Sequence, residues 1–230
     1  MSGLLIKPLV LACLAVAAAQ AGAATVVFTG FTNGAENAHF ATSAPNVPTS
    51  GDAGAGGLAT ELNGGPTFAS YCVDLYQSIS FNTAYTDYSL VPGAAHAFAN
   101  ANANVDIGRL YSEGHALNNG IDQAAFQIAI WEIAFERTGN AYDITTGSAQ
   151  FSKGSFGNAG SVAALALATT WLNALPGTVD KFNVQVLESL GHQDVVFATP
   201  AVPEPSTYAL MAAGLLGVGF VARRRSPNQR

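Results

Sequence analysis

Cys72 and Gln127 are the two residues of this 230-residue chain whose types and settings could do covalent chemistry. The chain has two cysteines, and the other, Cys13, falls in an N-terminal stretch that reads as a leader. Exported proteins generally pair their thiols, so one left over is either a small buried hydrophobe or a nucleophile. The flanking Tyr71, Val73 and Leu75 favour burial, and Asp74 raises rather than lowers the pKa of a neighbouring thiol. Gln127 lies inside a run from 122 to 137 that is apolar on nearly every helical face between 124 and 135. An amide left unpaired there costs free energy, so Gln127 either bonds backbone or offers its side-chain carbonyl carbon as an electrophile. Gln123, one turn earlier on the same face, is the competing candidate. His115 is the nearest base by topology.

The elements that must hold these groups can be read from pattern. Thr25–Phe31 alternates as a strand, and residues 32–66 are rich in Gly, Ala, Asn, Pro and Thr and read as a long loop. Thr67–Asp74, Tyr76–Phe81 and Tyr85–Val91 read as successive antiparallel strands, with Cys72 on the first. The period then changes to helical. Asp106 is expected to cap a helix to Ala116, Asp122 one to Arg137 stopped by Gly139, and Ser161 one to Leu175 ended by Pro176-Gly177. Phe182–Leu187 and Asp194–Ala198 close the pattern as strands. The expected class is α+β, a β-sandwich-like antiparallel sheet with a helical insertion. Domain boundaries follow: leader 1–23, N-terminal strand and loop 24–66, a reactive body 67–200, and a tail 202–225.

The ends read as addresses. Lys7, the apolar Pro8–Ala19 run and the small residues Ala21-Gly22-Ala23 form a secretory signal peptide cleaved before Ala24. At the other end Val202-Pro203-Glu204-Pro205-Ser206 precedes sixteen uncharged residues, Thr207–Ala222, and then Arg223-Arg224-Arg225. As a helix that span rises about 24 Å, a marginal membrane crossing, with the arginines held cytoplasmic and the body outside. Motif, span and basic stop in this order resemble the PEP-CTERM sorting tail of Gram-negative bacteria. The resemblance implies processing by an exosortase-type enzyme during export, and a final place at the cell surface or in the extracellular polysaccharide matrix.

A second resemblance covers the body. Tyr71-Cys72-Val73-Asp74 followed by Gln127-Ile128-Ala129-Ile130-Trp131 is similar to the paired motifs of thioester domains in bacterial surface adhesins, with Phe126 at a place where that family often has Thr. The likeness implies that the Cys72 sulfur attacks the Gln127 side-chain carbon, with loss of ammonia, so that the two condense spontaneously into an internal thioester, and that Gln127, rather than Gln123, is the acyl donor. It also implies a single covalent capture of an amine- or hydroxyl-bearing partner, a surface protein or polysaccharide. Tyr71, Phe126 and Trp131 are candidate shields against water.

Composition excludes other classes. Between residues 24 and 202 fourteen Asp and Glu face four Lys and Arg, a net charge of −10, so the body has no basic face for nucleic acid. His39, His96, His115 and His192 stand apart without metal-ligand spacing, and no cofactor motif or hydrolase elbow occurs. The chain is therefore expected to be no enzyme and to hold no metal or cofactor. Two other readings stay open: a non-reactive structural or binding protein of the matrix, and a glycosidase using Asp74 with Glu132 or Glu136.

Overall fold

The computed structural model describes residues 23–201 together with 210, 211 and 213–216. The signal peptide reading, apart from Ala23, and most of the sorting tail lie outside the described residues.

The body is built on a closed antiparallel barrel. Its strands are β1 (Ala24–Phe31), β4 (Leu58–Leu62), β5 (Phe68–Cys72), β6 (Ala84–Pro92), β8 (Phe182–Glu188) and β9 (Val195–Pro200), in the order β1-β4-β5-β9-β8-β6. A second sheet of β2 (Glu36–Thr42), β3 (Thr49–Ala55) and β7 (Ala149–Ser152) lies in the order β3-β2-β7. The expected β-sandwich is thus corrected to a barrel with a small accessory sheet. Closure removes the open sheet edges a sandwich would leave, and a bulge at Phe28/Gly30 in β1 helps the strand bend.

The expected loop at 32–66 is also corrected, because it contains β2, β3 and β4. In β3, Thr49-Ser-Gly-Asp-Ala-Gly-Ala55 carries no large side chain, which hides its strand character. Its alternation survives in burial, with Phe40 of β2 paired to Gly51 so that the ring occupies the space a side chain at 51 would take. The expected strand at Tyr76–Phe81 does not form. That segment is a loop, with Tyr76 N–H donated to Asp74 Oδ1 and Ser80 N–H to the Tyr85 hydroxyl.

The three helices are α1 (Ala103–Ser112), α2 (Gly120–Phe135) and α3 (Ala159–Ala174). Each begins on an asparagine ahead of the residue expected to cap it. Asn119 Oδ1 accepts from the N–H groups of Ile121 and Asp122, and Asn158 forms a capping box with Ser161. At α1 the N-cap is Asn102, and Asp106 sits one turn inside. α2 ends at Phe135, before Gly139, whose φ of +91° serves the following turn.

α2 is the axis of the core. Gln123 to Phe135 are all buried, because α3, α1, β5 and the small sheet surround the helix. Among the described residues, 159–177 is the stretch long and apolar enough to cross a membrane. It packs Ala164, Ala168, Trp171 and Leu172 into the core, with α3 lying along α2. The buried cluster runs from Ala24 to Val196, so residues 24–201 carry their own core.

Candidate functional site

Strand β5 and helix α2 bring Cys72 and Gln127 together across 55 positions of sequence. β4 pairs with β5 at Phe68, Ala69 and Ser70, and its ladder stops there. Beyond that point the side chain of Gln127 takes the place of a neighbouring strand. Its Oε1 accepts from the Cys72 backbone N–H at 2.8 Å, and its Nε2 donates to the Cys72 carbonyl oxygen at 2.8 Å. Both buried peptide groups are satisfied by one amide, which is itself satisfied in return. On the other side of β5, Cys72 is paired with Val195 of β9.

Cys72 is a buried free thiol. Burial pushes its pKa up to about 12, and the Asp74 carboxylate adds to the rise. The thiol is therefore neutral at ordinary pH, and no thiolate is pre-formed. His115 is placed elsewhere, stacked on Trp171 at 3.9 Å and hydrogen-bonded to Glu113.

Gln123 is engaged differently from Gln127. Its Oε1 accepts from Tyr71 Oη at 2.8 Å and from Gly57 N–H at 3.2 Å, while Nε2 donates to Leu117 O at 2.8 Å. This clamp ties β4, β5, α2 and the loop before α2 together. It depends on glycine at 57, where an added Cβ would collide with Gln123 Oε1 and stand 3.1 Å from the Tyr71 ring. Gly57→Ala should therefore displace the amide and lower stability by about 2 kcal/mol, read as a shift in urea midpoint at constant slope. An unchanged midpoint would show that the clamp relaxes freely.

The three aromatic residues expected to shield the pair divide between two places. Tyr71 and Phe126 meet at 4.8 Å and join Tyr111 in a buried cluster beside Gln123. Trp131, stacked parallel on Phe151 at 6.0 Å, lines with Cys72 a groove of about 350 Å³ that opens between the β2–β3 hairpin and the 75–81 loop. Ala129 is fully buried within α2, and Asp74 caps the turn after β5.

The two glutamates that the glycosidase reading offers as alternative partners of Asp74 are closed off from solvent, whereas Asp74 itself is half-buried. Glu136 accepts from Arg137 N–H, Asn140 Nδ2 and Ser148 N–H, and Glu132 accepts from Asp143 N–H. Together they hold the 137–148 loop against α2, a structural duty that leaves neither carboxyl exposed to a glycan. This loop was not foreseen; the sequence signal is a pair of glutamates four apart on an otherwise apolar helix.

Comparison with known proteins gives one match. Residues 201–225 match the family model of the PEP-CTERM protein-sorting motif. No curated protein and no solved structure matches the chain. The motif means that the protein is exported, sorted at the membrane by an exosortase-type enzyme and destined for the cell surface or the extracellular space.

Proposed function

We propose that this exported protein carries an internal thioester between Cys72 and Gln127 and uses it once, to attach covalently to an amine- or hydroxyl-bearing partner at the cell surface or in the matrix. The observation that carries the reading is the two-point hydrogen bond between the Gln127 amide and the Cys72 backbone.

That geometry suits the chemistry at three points. The Cys72 N–H already donates to Gln127 Oε1, the atom on which negative charge develops when sulfur attacks the carbonyl carbon, so it acts as an oxyanion donor. The Cys72 carbonyl holds the Gln127 nitrogen, the leaving group. Tethering between β5 and α2 replaces a bimolecular encounter by an intramolecular one. The buried thiol gives up its proton as the S–C bond forms, and that proton leaves on the departing nitrogen as ammonia. Gln127 is fully buried, which keeps the acyl group away from bulk water. A nucleophile attacking the Gln127 acyl carbon breaks the C–S bond and returns a thiol at Cys72.

A second reading is favoured by the completeness of the same bonds. A core glutamine needs its amide satisfied and nothing more, and the thiol is held protonated. In that case the barrel is a non-reactive structural or binding module of the extracellular matrix.

The intact mass of residues 24–201 decides between them. A thioester makes the untreated protein lighter than its sequence by one ammonia, methylamine restores a full adduct, and Cys72→Ala shows neither change. A mass equal to the sequence, with a thiol that titrates after unfolding, would leave the second reading.

A further inference from the structure

We propose that the outer face of α3 lies on the phospholipid surface of the membrane to which the sorting tail tethers the body. This contact is independent of the thioester and uses the reading of residues 207–222 as a membrane span.

α3 departs from the rule that α2 obeys. A helix without a charged face has to be covered on every side. Ala159–Ala174 carries no charged residue at any position, yet only its inner face, with Ala164, Ala168, Trp171 and Leu172, is packed into the core. The opposite face, with Val162, Ala163, Ala166, Thr169, Thr170 and Asn173, is exposed. Its threonines do not call on water. Thr169 Oγ1 donates to the Leu165 carbonyl and Thr170 Oγ1 to the Ala166 carbonyl, at 3.0 Å each. Asn173 is the one amide on a face otherwise made of alkyl groups and hydroxyls already bonded back to the helix.

The place where the chain leaves the body points to lipid as the cover. β9 ends beside Lys181, whose carbonyl accepts from Ala201 N–H at 2.8 Å. Three residues before Lys181, Thr178 Oγ1 donates to the Ala174 carbonyl on the last turn of α3. The tail therefore departs from the C-terminal end of this helix. From Ala201 to Thr207, where the uncharged segment begins, the chain reaches at most about 20 Å when fully extended. With the tail inserted, that end of α3 is held close to the bilayer, and the sixteen-residue helix, about 24 Å long, needs only to lie down along the surface.

Charge points the same way. Lys153, ahead of α3, and Lys181, after it, are both exposed, and they are two of only four Lys and Arg between residues 24 and 202. Each has an exposed apolar side chain nearby in the chain, Phe156 at 73% and Val179 at 71%. Lysines answer anionic headgroups, and apolar side chains enter the boundary between headgroups and acyl chains. Two acids adjoin the helix ends, and both are half-buried: Glu36 packs against Gly160, and Asp180 Oδ1 accepts from Phe182 N–H. In a body with fourteen acids, the outer face of α3 can approach an anionic leaflet without presenting a carboxylate.

The test inserts residues 24–230 into vesicles of phosphatidylethanolamine and phosphatidylglycerol. An environment-sensitive maleimide dye is placed on Ala166→Cys, on the outer face, or on Leu190→Cys, fully exposed at the other end of the β8–β9 hairpin from Ala201. Cys72 is buried and escapes labelling in the folded protein, which the unsubstituted chain checks. Lipids brominated near the top of the acyl chains should quench the dye at 166 about threefold more than the dye at 190. Val162→Asp with Thr170→Asp, exposed positions one turn to either side, should bring quenching at 166 down to the level at 190. Lys153→Glu with Lys181→Glu should reduce it about twofold. Urea midpoints of residues 24–201 carrying either pair should match the wild type, which separates lost contact from lost fold. Equal quenching at 166 and 190, quenching that survives the two aspartates, or a chain that does not insert overturns the proposal. Shielding of 166 that persists in detergent and disappears when the chain ends at 201 overturns it in favour of the tail as the cover. Energy transfer between 166 dyes on different copies, rising with protein density, overturns it in favour of self-association.

Discussion

Replacing Glu132 by glutamine flattens the dependence of stability on pH above neutrality. Glu132 is fully buried on α2, with one oxygen accepting from Asp143 N–H at 2.8 Å and the other, Oε2, without a partner. Burial pushes its pKa up to about 8, against an ordinary value near 4.5, and the neighbouring Glu136 and Asp143 carboxylates add to the rise. The folded protein therefore keeps a proton that the unfolded chain has released, from about pH 4.5 up to about pH 8. A raised acid of this kind costs stability as pH climbs through that window, and the loss is complete above the folded value. Each pH unit within it removes about 1.4 kcal/mol, so the wild type should lose about 2 kcal/mol between pH 6.5 and 8. Asp194, which burial raises only to about 6, has finished its own contribution before that interval. Urea midpoints at pH 6.5 and 8.5 provide the check. Glu132→Gln keeps an acceptor for Asp143 N–H and has no charge to create, so its midpoint should stay nearly constant. Parallel losses in both proteins would place the titration elsewhere.

That buried acid illustrates which parts of the molecule were legible in the chain. α2 was readable because its apolar residues leave no polar face, and a helix apolar all round has to be surrounded. β5, β6, β8 and β9 were readable because β-branched and aromatic residues dominate them. β3 was not, because Gly51, Ala53 and Ala55 pair with a strand that supplies the bulk, chiefly through Phe40. Barrel closure could not be read either. It depends on β1 meeting both β4 and β6, and pairing between strands leaves no mark on either strand alone. The caps of α2 and α3 were misread by three residues because Asp122 and Ser161 are good cap types that sit just inside Asn119 and Asn158. At the candidate site the sequence singled out Cys72, Gln127 and Trp131; the fold places Cys72 and Gln127 on one pair of hydrogen bonds and Cys72 and Trp131 on one groove. It could not tell that Tyr71 and Phe126 belong with Gln123, since which face of β5 each residue takes depends on where α2 lies.

Cys72 and Gln127 should be coupled by about 4 kcal/mol in a double-variant cycle if the thioester forms. A covalent link between them closes a loop of 55 positions and restricts the unfolded chain by about 4 kcal/mol, taking the chain-entropy treatment of disulfides as the guide. Cys72→Ala removes that link together with a buried sulfur, and should cost about 5 kcal/mol. Gln127→Leu removes the link as well, and also orphans the Cys72 N–H that donates to the Gln127 acyl oxygen, so it should cost more. The link can be lost only once. The double variant should therefore fall short of the sum of the single losses by about the value of the link. Without a thioester the expectation is different, because Gln127 bonds the backbone of residue 72, and alanine at 72 keeps that backbone. Cys72→Ala then costs about 1 kcal/mol and the two changes add within about 0.5 kcal/mol. Urea unfolding of the four proteins under non-nucleophilic buffer separates the cases. Repeating it after methylamine treatment, which opens the link and leaves Gln127 as its N-methylamide, should collapse the coupling in the first case and change nothing in the second.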